Sequence, residues 1–148
     1  AIRPIVTFGS LPNRVQIEPI AVEVFASTAP IMWRLLYYPP GSTLPITGGT
    51  WAAPNANSAV EANASGTALS LTGSIEIGGG YVPAAAAGNA RASVSLSLPP
   101  EAAPLVLDAA GAGDPRTTNV GANPAYLVVS GLGASATAGA HLTWQEVR

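Results

Sequence analysis

The sequence predicts an all-β protein, an antiparallel β-sandwich of jelly-roll type with about eight strands, and three observations carry that prediction. Apolar residues recur at every second position over short stretches, which places them on one face of an extended strand. Sixteen glycines and fourteen prolines among 148 residues stand mostly between those stretches, where turns are needed. Helical periodicity has little room: even Ala84-Ala85-Ala86-Ala87, a strong local helix former, is bracketed by Pro83 and Gly88 and predicts a loop or a single turn. Short strands separated by turn signals are the pattern of antiparallel sandwiches and jelly rolls.

Taken in order, residues 1–13 precede the first sustained alternation and are interrupted by Pro4, Gly9 and Pro12, so they predict an extended N-terminal arm ahead of one domain over residues 14–148. The apolar residues of that arm, Ile2, Ile5, Val6, Phe8 and Leu11, cannot bury one another and need an outside surface, which makes them candidate interface residues. Residues 15–25 alternate with a phase slip at Pro19: Val15 and Ile17 share one register, and Ile20, Val22 and Val24 share the other. A proline cannot donate to a ladder, so a bulge or an edge position is expected there. Residues 31–38 are apolar on both faces except at Arg34 and end at Pro39-Pro40-Gly41. That is a strand buried on both sides, or one facing a neighbouring subunit, and it adds Trp33, Tyr37 and Tyr38 to the candidate interface.

Residues 58–64 predict a further strand. So do residues 69–77, with Leu69, Leu71, Ile75 and Ile77 on one face, Ser70, Thr72, Ser74 and Glu76 on the other, and Gly78-Gly79-Gly80 as the stop. The cleanest alternation is 92–98, where Val94, Leu96 and Leu98 oppose three serines before Pro99-Pro100 ends the strand. Residues 105–107, 125–130 and 138–147 complete the set.

Only 9% of the residues are charged, against about 25% in an ordinary soluble domain, so the surface must be covered by small polar residues, backbone or another protein. All six positive charges are arginine, and the net charge of −2 offers no electrostatic footprint for a phosphate backbone, so nucleic acid is not an expected partner. No apolar run approaches the roughly 20 residues of a membrane-spanning helix, so no membrane partner is expected. The start Ala1-Ile2-Arg3-Pro4 has no basic region followed by a long apolar stretch, so no secretory signal is read there, and export stays open because a mature chain can already have lost one. The absence of cysteine removes disulfides, thiolate metal sites and thiol nucleophiles together.

Catalysis needs titratable groups brought together, and this chain has one histidine, two aspartates and six glutamates. His141 lies in the last predicted strand on the polar face with Thr143 and Gln145, opposite Leu142 and Trp144, and reads as a solvated or interface residue. No ligand spacing for a metal is present, and no G-x-S-x-G elbow surrounds any serine. The run Gly131-Leu132-Gly133-Ala134-Ser135-Ala136 formally matches a dinucleotide fingerprint, but too little chain follows for the helix that would hold a pyrophosphate. A hairpin turn accounts for these glycines, and ordinary turns account for Asp108 and Asp114. Asn63-Ala64-Ser65 satisfies the glycosylation sequon, a triplet common by chance. The tryptophans and tyrosines read as core or subunit contacts before ligand-stacking surfaces. No catalytic residue, cofactor or metal is expected.

The run Trp33-Arg34-Leu35-Leu36-Tyr37-Tyr38-Pro39-Pro40, followed by Gly48-Gly49-Thr50-Trp51, Ser58-Ala59-Val60-Glu61 and Gly79-Gly80-Tyr81-Val82, resembles a β-rich domain of virion structural proteins of tailed bacteriophages. The close of the chain is similar as well, with Leu105-Val106-Leu107-Asp108, Leu127-Val128-Val129 and Leu142-Thr143-Trp144-Gln145-Glu146. The resemblance spans residues 33–148. It implies a non-enzymatic subunit at the capsid surface of the virion, of the head-fibre, decoration or cement kind, with the major capsid protein as partner and a homotrimer as the expected assembly. The short chain lacks a shaft, a coiled coil or a separate tip, which favours a decoration or cement subunit over a long fibre. A carbohydrate-binding β-sandwich module fits the same composition. The two differ in one respect: an assembly subunit is expected to be oligomeric and to bury the region 31–38, whereas a sugar module is expected to be monomeric with an exposed aromatic platform.

Overall fold

The computed structural model describes residues 1–5, 7–8, 11–12, 16–26, 29–39, 42–43, 45–83, 91–94, 126–132 and 138–147. Among them the chain is all-β, with twelve strands and no helix. The strands are β1 (Ile2–Pro4), β2 (Thr7–Phe8), β3 (Leu11–Pro12), β4 (Gln16–Ala26), β5 (Ile31–Tyr38), β6 (Ile46–Thr47), β7 (Val60–Ala62), β8 (Ala68–Leu69), β9 (Ile75–Val82), β10 (Arg91–Val94), β11 (Tyr126–Leu132) and β12 (Ala138–Val147). Every strand pairing is antiparallel. A five-stranded sheet runs β7-β1-β11-β5-β9, a three-stranded sheet runs β10-β4-β12, and the pairs β2-β3 and β6-β8 stand apart. The strand count exceeds the eight expected because β1, β2, β3 and β6 are too short to carry an alternation of their own and the strand expected over 69–77 is split in two, while the one expected over 105–107 lies outside the described residues.

The slip at Pro19 is a β-bulge. Thr143 of β12 pairs with Ala21 and Trp144 pairs with Pro19, so Ile20 is the extra residue. One inserted residue reverses the pleat, which brings Ile17 onto the same buried face as Val22, Val24 and Ala26 although their parities differ. Ile20 itself is left exposed. Among the described pairings β10 meets β4 only over Val22–Phe25, so Pro19 needs no N–H on that side. Gly139 of β12 pairs with Phe25, whose ring lies where a side chain on the glycine would stand.

The strand expected over 69–77 is instead two strands and a turn. Gly73 adopts φ 77° at the third position of a β-turn closed by Ser74 N–H donating to Leu71 O at 3.2 Å, with the Ser74 hydroxyl on the same carbonyl at 2.8 Å. The alternation across that turn is coincidental, and Leu71 and Ile75 are both exposed. Nor do Gly78, Gly79 and Gly80 end a strand. They lie inside β9, because the backbone there passes directly over Trp33: a Cβ at Gly80 would stand 3.1 Å from the indole Nε1, and one at Gly79 would stand 2.7 Å from the Trp33 carbonyl oxygen.

Residues 2–4 also depart from expectation. In place of a free arm, β1 lies between β7 and β11, with Ile2 in register with Ala62 on one side and Leu127 on the other, and both Ile2 and Pro4 are buried. Their outside surface is supplied by strands distant in sequence. Gly131 falls within β11 and not in the hairpin turn expected there, and the strand expected over 58–64 is shortened to β7. The expected strand at 105–107, the continuation of β10 over 95–98, the alanine run 84–87 and Asp108 and Asp114 lie outside the described residues.

One hydrophobic cluster draws on both larger sheets: Ile2, Ile31, Trp33, Leu35, Val60 and Val82 from the five-stranded sheet, and Ile17, Val22, Val24 and Ala26 from the three-stranded one. A second cluster, Leu36, Tyr38 and Ile46 with Ala1, Trp51 and Leu69 packed against it, covers part of the opposite face of β5.

Candidate functional site

The polar groups best placed for chemistry are engaged in holding the fold. Arg3 of β1 pairs with Glu61 of β7, its register partner, with Nε donating to Oε2 at 2.9 Å, and its guanidinium lies 4.3 Å over the Trp51 ring. Asn63 is buried: its Nδ2 donates to the Gly48 carbonyl at 3.1 Å and its Oδ1 accepts the Ser65 N–H at 3.0 Å. Gly48 and Gly49 both have positive φ, and Asn63 ties that left-handed corner to the residues that follow β7. The sequon asparagine is therefore a structural bracket within the folded domain.

Among the described residues, Glu146 of β12 accepts three hydrogen bonds with its carboxylate. Its Oε1 accepts the Ser58 hydroxyl at 2.8 Å and the Trp144 indole N–H at 3.4 Å, while Oε2 accepts the Ala59 N–H at 2.9 Å. The contact joins the end of the three-stranded sheet to the chain entering β7, and it gives buried Ser58 and Ala59 charge-assisted partners. Ser58 also receives the Val60 N–H at 3.2 Å. Serine and carboxylate meet here without an imidazole: His141 is exposed on β12, opposite Glu23 of β4, on the polar face that the alternation assigned to it. Gln145 on the same face bonds Glu18. Among the described residues no group of three or more His, Cys, Asp or Glu is placed to hold a metal.

The candidate interface residues do not form one surface. Ile2 and Trp33 are in the main core and Tyr38 is fully buried in the second cluster, so none of the three is available to a partner as expected. Tyr37 is half-buried and packs against the main core, and Ile5 is half-buried with its N–H donating to the Ala59 carbonyl at 2.9 Å. Val6 and the side chains of Phe8 and Leu11 lie outside what is described. The Tyr38 hydroxyl donates to the Ser70 carbonyl at 2.7 Å. Burial pushes the phenols of both Tyr37 and Tyr38 above the usual tyrosine value, with a Ser74 hydrogen bond pulling Tyr38 weakly the other way.

What is open is the other half of the same strand. Met32 and Tyr81 are directly opposite each other in the β5–β9 pairing and are 59% and 60% exposed, the highest values for large apolar side chains among the described residues. On the same face Arg34 Nε lies 3.4 Å from Glu76 Oε2, and both side chains are well exposed. Gly79 pairs with Arg34, so no side chain stands between Tyr81 and Glu76 on that face of β9. Sequence reasoning missed this surface because the triple glycine was taken as the end of a strand, which cut Tyr81 off from Met32. The pattern of 31–38 did contain Met32 and Arg34 as one alternating set.

Compared with protein-family models, with curated proteins and with solved structures, the chain matches none.

Proposed function

We propose that this chain is a non-enzymatic virion structural protein of the tailed-phage type, a decoration or cement subunit that binds the major capsid protein and stabilises the head shell. The observation that carries the reading is the exposed Met32–Tyr81 surface beside Arg34 and Glu76, on a chain whose other described polar clusters are spent on internal ties. Contiguous apolar surface rimmed by polar groups marks a protein contact. Methionine, tyrosine and arginine are the residue types enriched in such contacts.

In this reading the two larger sheets pack as an antiparallel sandwich of jelly-roll type, supported by the single cluster that takes residues from both. A sandwich of this kind needs no charge to hold a shell, which agrees with a 9% charged composition.

The carbohydrate-module alternative needs several aromatics on one open face. Among the described residues Trp33 and Tyr38 are buried, Trp51 lies under Arg3, and the exposed rings Phe25 and Tyr81 sit on different sheets. The test is cosedimentation of the purified chain with tailed-phage head shells, with a glycan array in parallel. Saturable shell binding that raises the melting temperature of the shell is the expected result. Glycan binding without shell binding replaces the cement reading with the sugar module.

A further inference from the structure

We propose that the free edge of β9 takes up an extended segment of another protein as an added strand, and that this segment places an amide side chain opposite Gly80 to accept the Trp33 indole N–H. The ring of Trp33 belongs to the core, but its N–H is left over. Trp33 is 1% exposed, and its Nε1 is the one buried side-chain polar atom among the described residues that has no hydrogen-bond partner. A buried donor left unmet is costly, and native structures keep few of them. The indole reaches from β5 to β9. Trp33 pairs with Gly80, and a Cβ on Gly80 would stand 3.1 Å from Nε1, 3.4 Å from Cε2 and 3.5 Å from Cζ2. The N–H edge of the ring thus lies against the last strand of the five-stranded sheet.

No described strand stands on the far side of β9. The opposite edge, β7, is partly covered, since Ala52 and Ala62 exchange backbone hydrogen bonds of 3.0 and 2.9 Å. Free edges are commonly blunted by a charge, a proline or a bulge. In β9 the bulged residue is Ile77, between the pairs Leu35–Gly78 and Leu36–Glu76, and beyond it residues 78–82 hold neither a charge nor a proline. Alternate N–H and C=O groups of that stretch point away from β5, and its three glycines put no side chain beside them. An extended chain completes such an edge through main-chain hydrogen bonds. It runs about 4.8 Å outside β9, so its residue opposite Gly80 on the core side is the nearest position that can bring an acceptor to Nε1.

The occupant is a different protein, because β9 does not complete itself. Paired along the same edge, a second copy offers on the core side only Gly78, Gly80 and Val82, the residues opposite Leu35, Trp33 and Ile31, and none of them carries an acceptor. Glutamine supplies one without bringing a charge into apolar surroundings. This edge is separate from the Met32–Tyr81 face, and the proposal does not rest on the cement reading.

NMR titration of the full chain tests it. The probe is a capped seven-residue peptide of alternating threonine and valine with glutamine at its centre, which puts valine, glutamine and valine on one face. Saturable binding is expected with a Kd of about 0.1–5 mM, together with slowed exchange of the 78–82 amides and a shift of the Trp33 indole proton. Trp51→Phe and Trp144→Phe identify that proton by elimination. Norleucine in place of the glutamine is expected to weaken binding by about tenfold and to leave the indole proton where it was, because the donor stays unmet. Of two peptides N-methylated on alternate sets of amides, one is expected to lose binding and the other to keep it, since only one set faces β9. No binding at about 10 mM, equal affinity of the glutamine and norleucine peptides, or equal binding of the two methylated peptides each overturns the proposal. So does protection of the 78–82 amides that grows with chain concentration in the absence of peptide, which makes a second copy the occupant. Cosedimentation with head shells is read independently of every one of these results, so failure here and failure of the cement reading are distinguishable.

Discussion

The two halves of β5 present the same kind of sequence to the same side of one sheet and meet different fates. At its C-terminal half Leu36 and Tyr38 turn outward from the main core and are buried again, under β6, β8 and Trp51 of the same chain. At its N-terminal half Met32 and Arg34 face the same way, and Met32 is left exposed, with no described residue packed over it. Alternation within a strand does not distinguish these cases, because both faces are apolar except at Arg34. What separates them is a hairpin-like layer, β6 with β8, held over one half by the Tyr38–Ser70 hydrogen bond and by Ser70 N–H donating to the Pro45 carbonyl at 2.8 Å. A strand with two apolar faces thus states that a second layer exists, without stating how much of it the chain itself supplies.

The strongest way to break that comparison is to remove what the chain lays over its own strands. Deleting residues 1–4 takes out the strand between β7 and β11 together with buried Ile2 and Pro4, and it removes Ala1 from the second cluster. Loss of a cooperative thermal transition is the expected outcome. A shortened chain that melts like the full one would restore the free arm that the prolines suggested.

Next in size is Leu36→Ala, in the covered half, expected to cost about 2–5 kcal/mol in urea unfolding, as other buried leucines do. Glu146→Gln keeps the shape but removes the charge from the bonds to Ser58 and Ala59, and about 1–3 kcal/mol is expected to go with it. Its sign would be reversed only if the carboxylate were worth less than its desolvation.

The phenols of half-buried Tyr37 and buried Tyr38 give a pH handle on the same half. Because burial raises Tyr37 and Tyr38 above the ordinary value of 10.0, the folded state favours their protonated forms. Their contribution is complete below that value and falls away as pH rises through it towards the folded-state values. Alkaline titration followed by tyrosinate absorbance is expected to show two phenols ionising late, together with loss of structure. Tyr38→Phe should blunt that alkaline loss, and an unchanged profile would place the sensitivity elsewhere. Smallest of all is Met32→Ala, in the open half, expected to change monomer stability by no more than about 0.5 kcal/mol.

Much of the fold was legible in the residues themselves. The strand at 138–147 forms over its whole expected length, with His141, Thr143 and Gln145 outward as their alternation required. The phase slip at Pro19 announced the bulge, since a missing N–H and a reversed parity have only a few structural solutions. These features are local: a two-residue period and a proline ring act on their immediate neighbours whatever the rest of the chain does. The candidate surface was far less legible. Trp33 and Tyr38, chosen for their size, are buried, while Tyr81, behind three glycines, is part of the open face.

Composition and alternation were enough to determine extended, antiparallel strands without helix among the described residues, and few charges, because strand formation answers to side-chain period and turn chemistry. Tertiary structure alone decided that Gly78, Gly79 and Gly80 continue a strand, that Ile2 belongs to a core, and that Met32 and Tyr81 do not. Each of those outcomes depends on a contact with residues far along the chain: the Trp33 indole across β9, the flanking strands β7 and β11, and a β6–β8 layer that stops short of Met32.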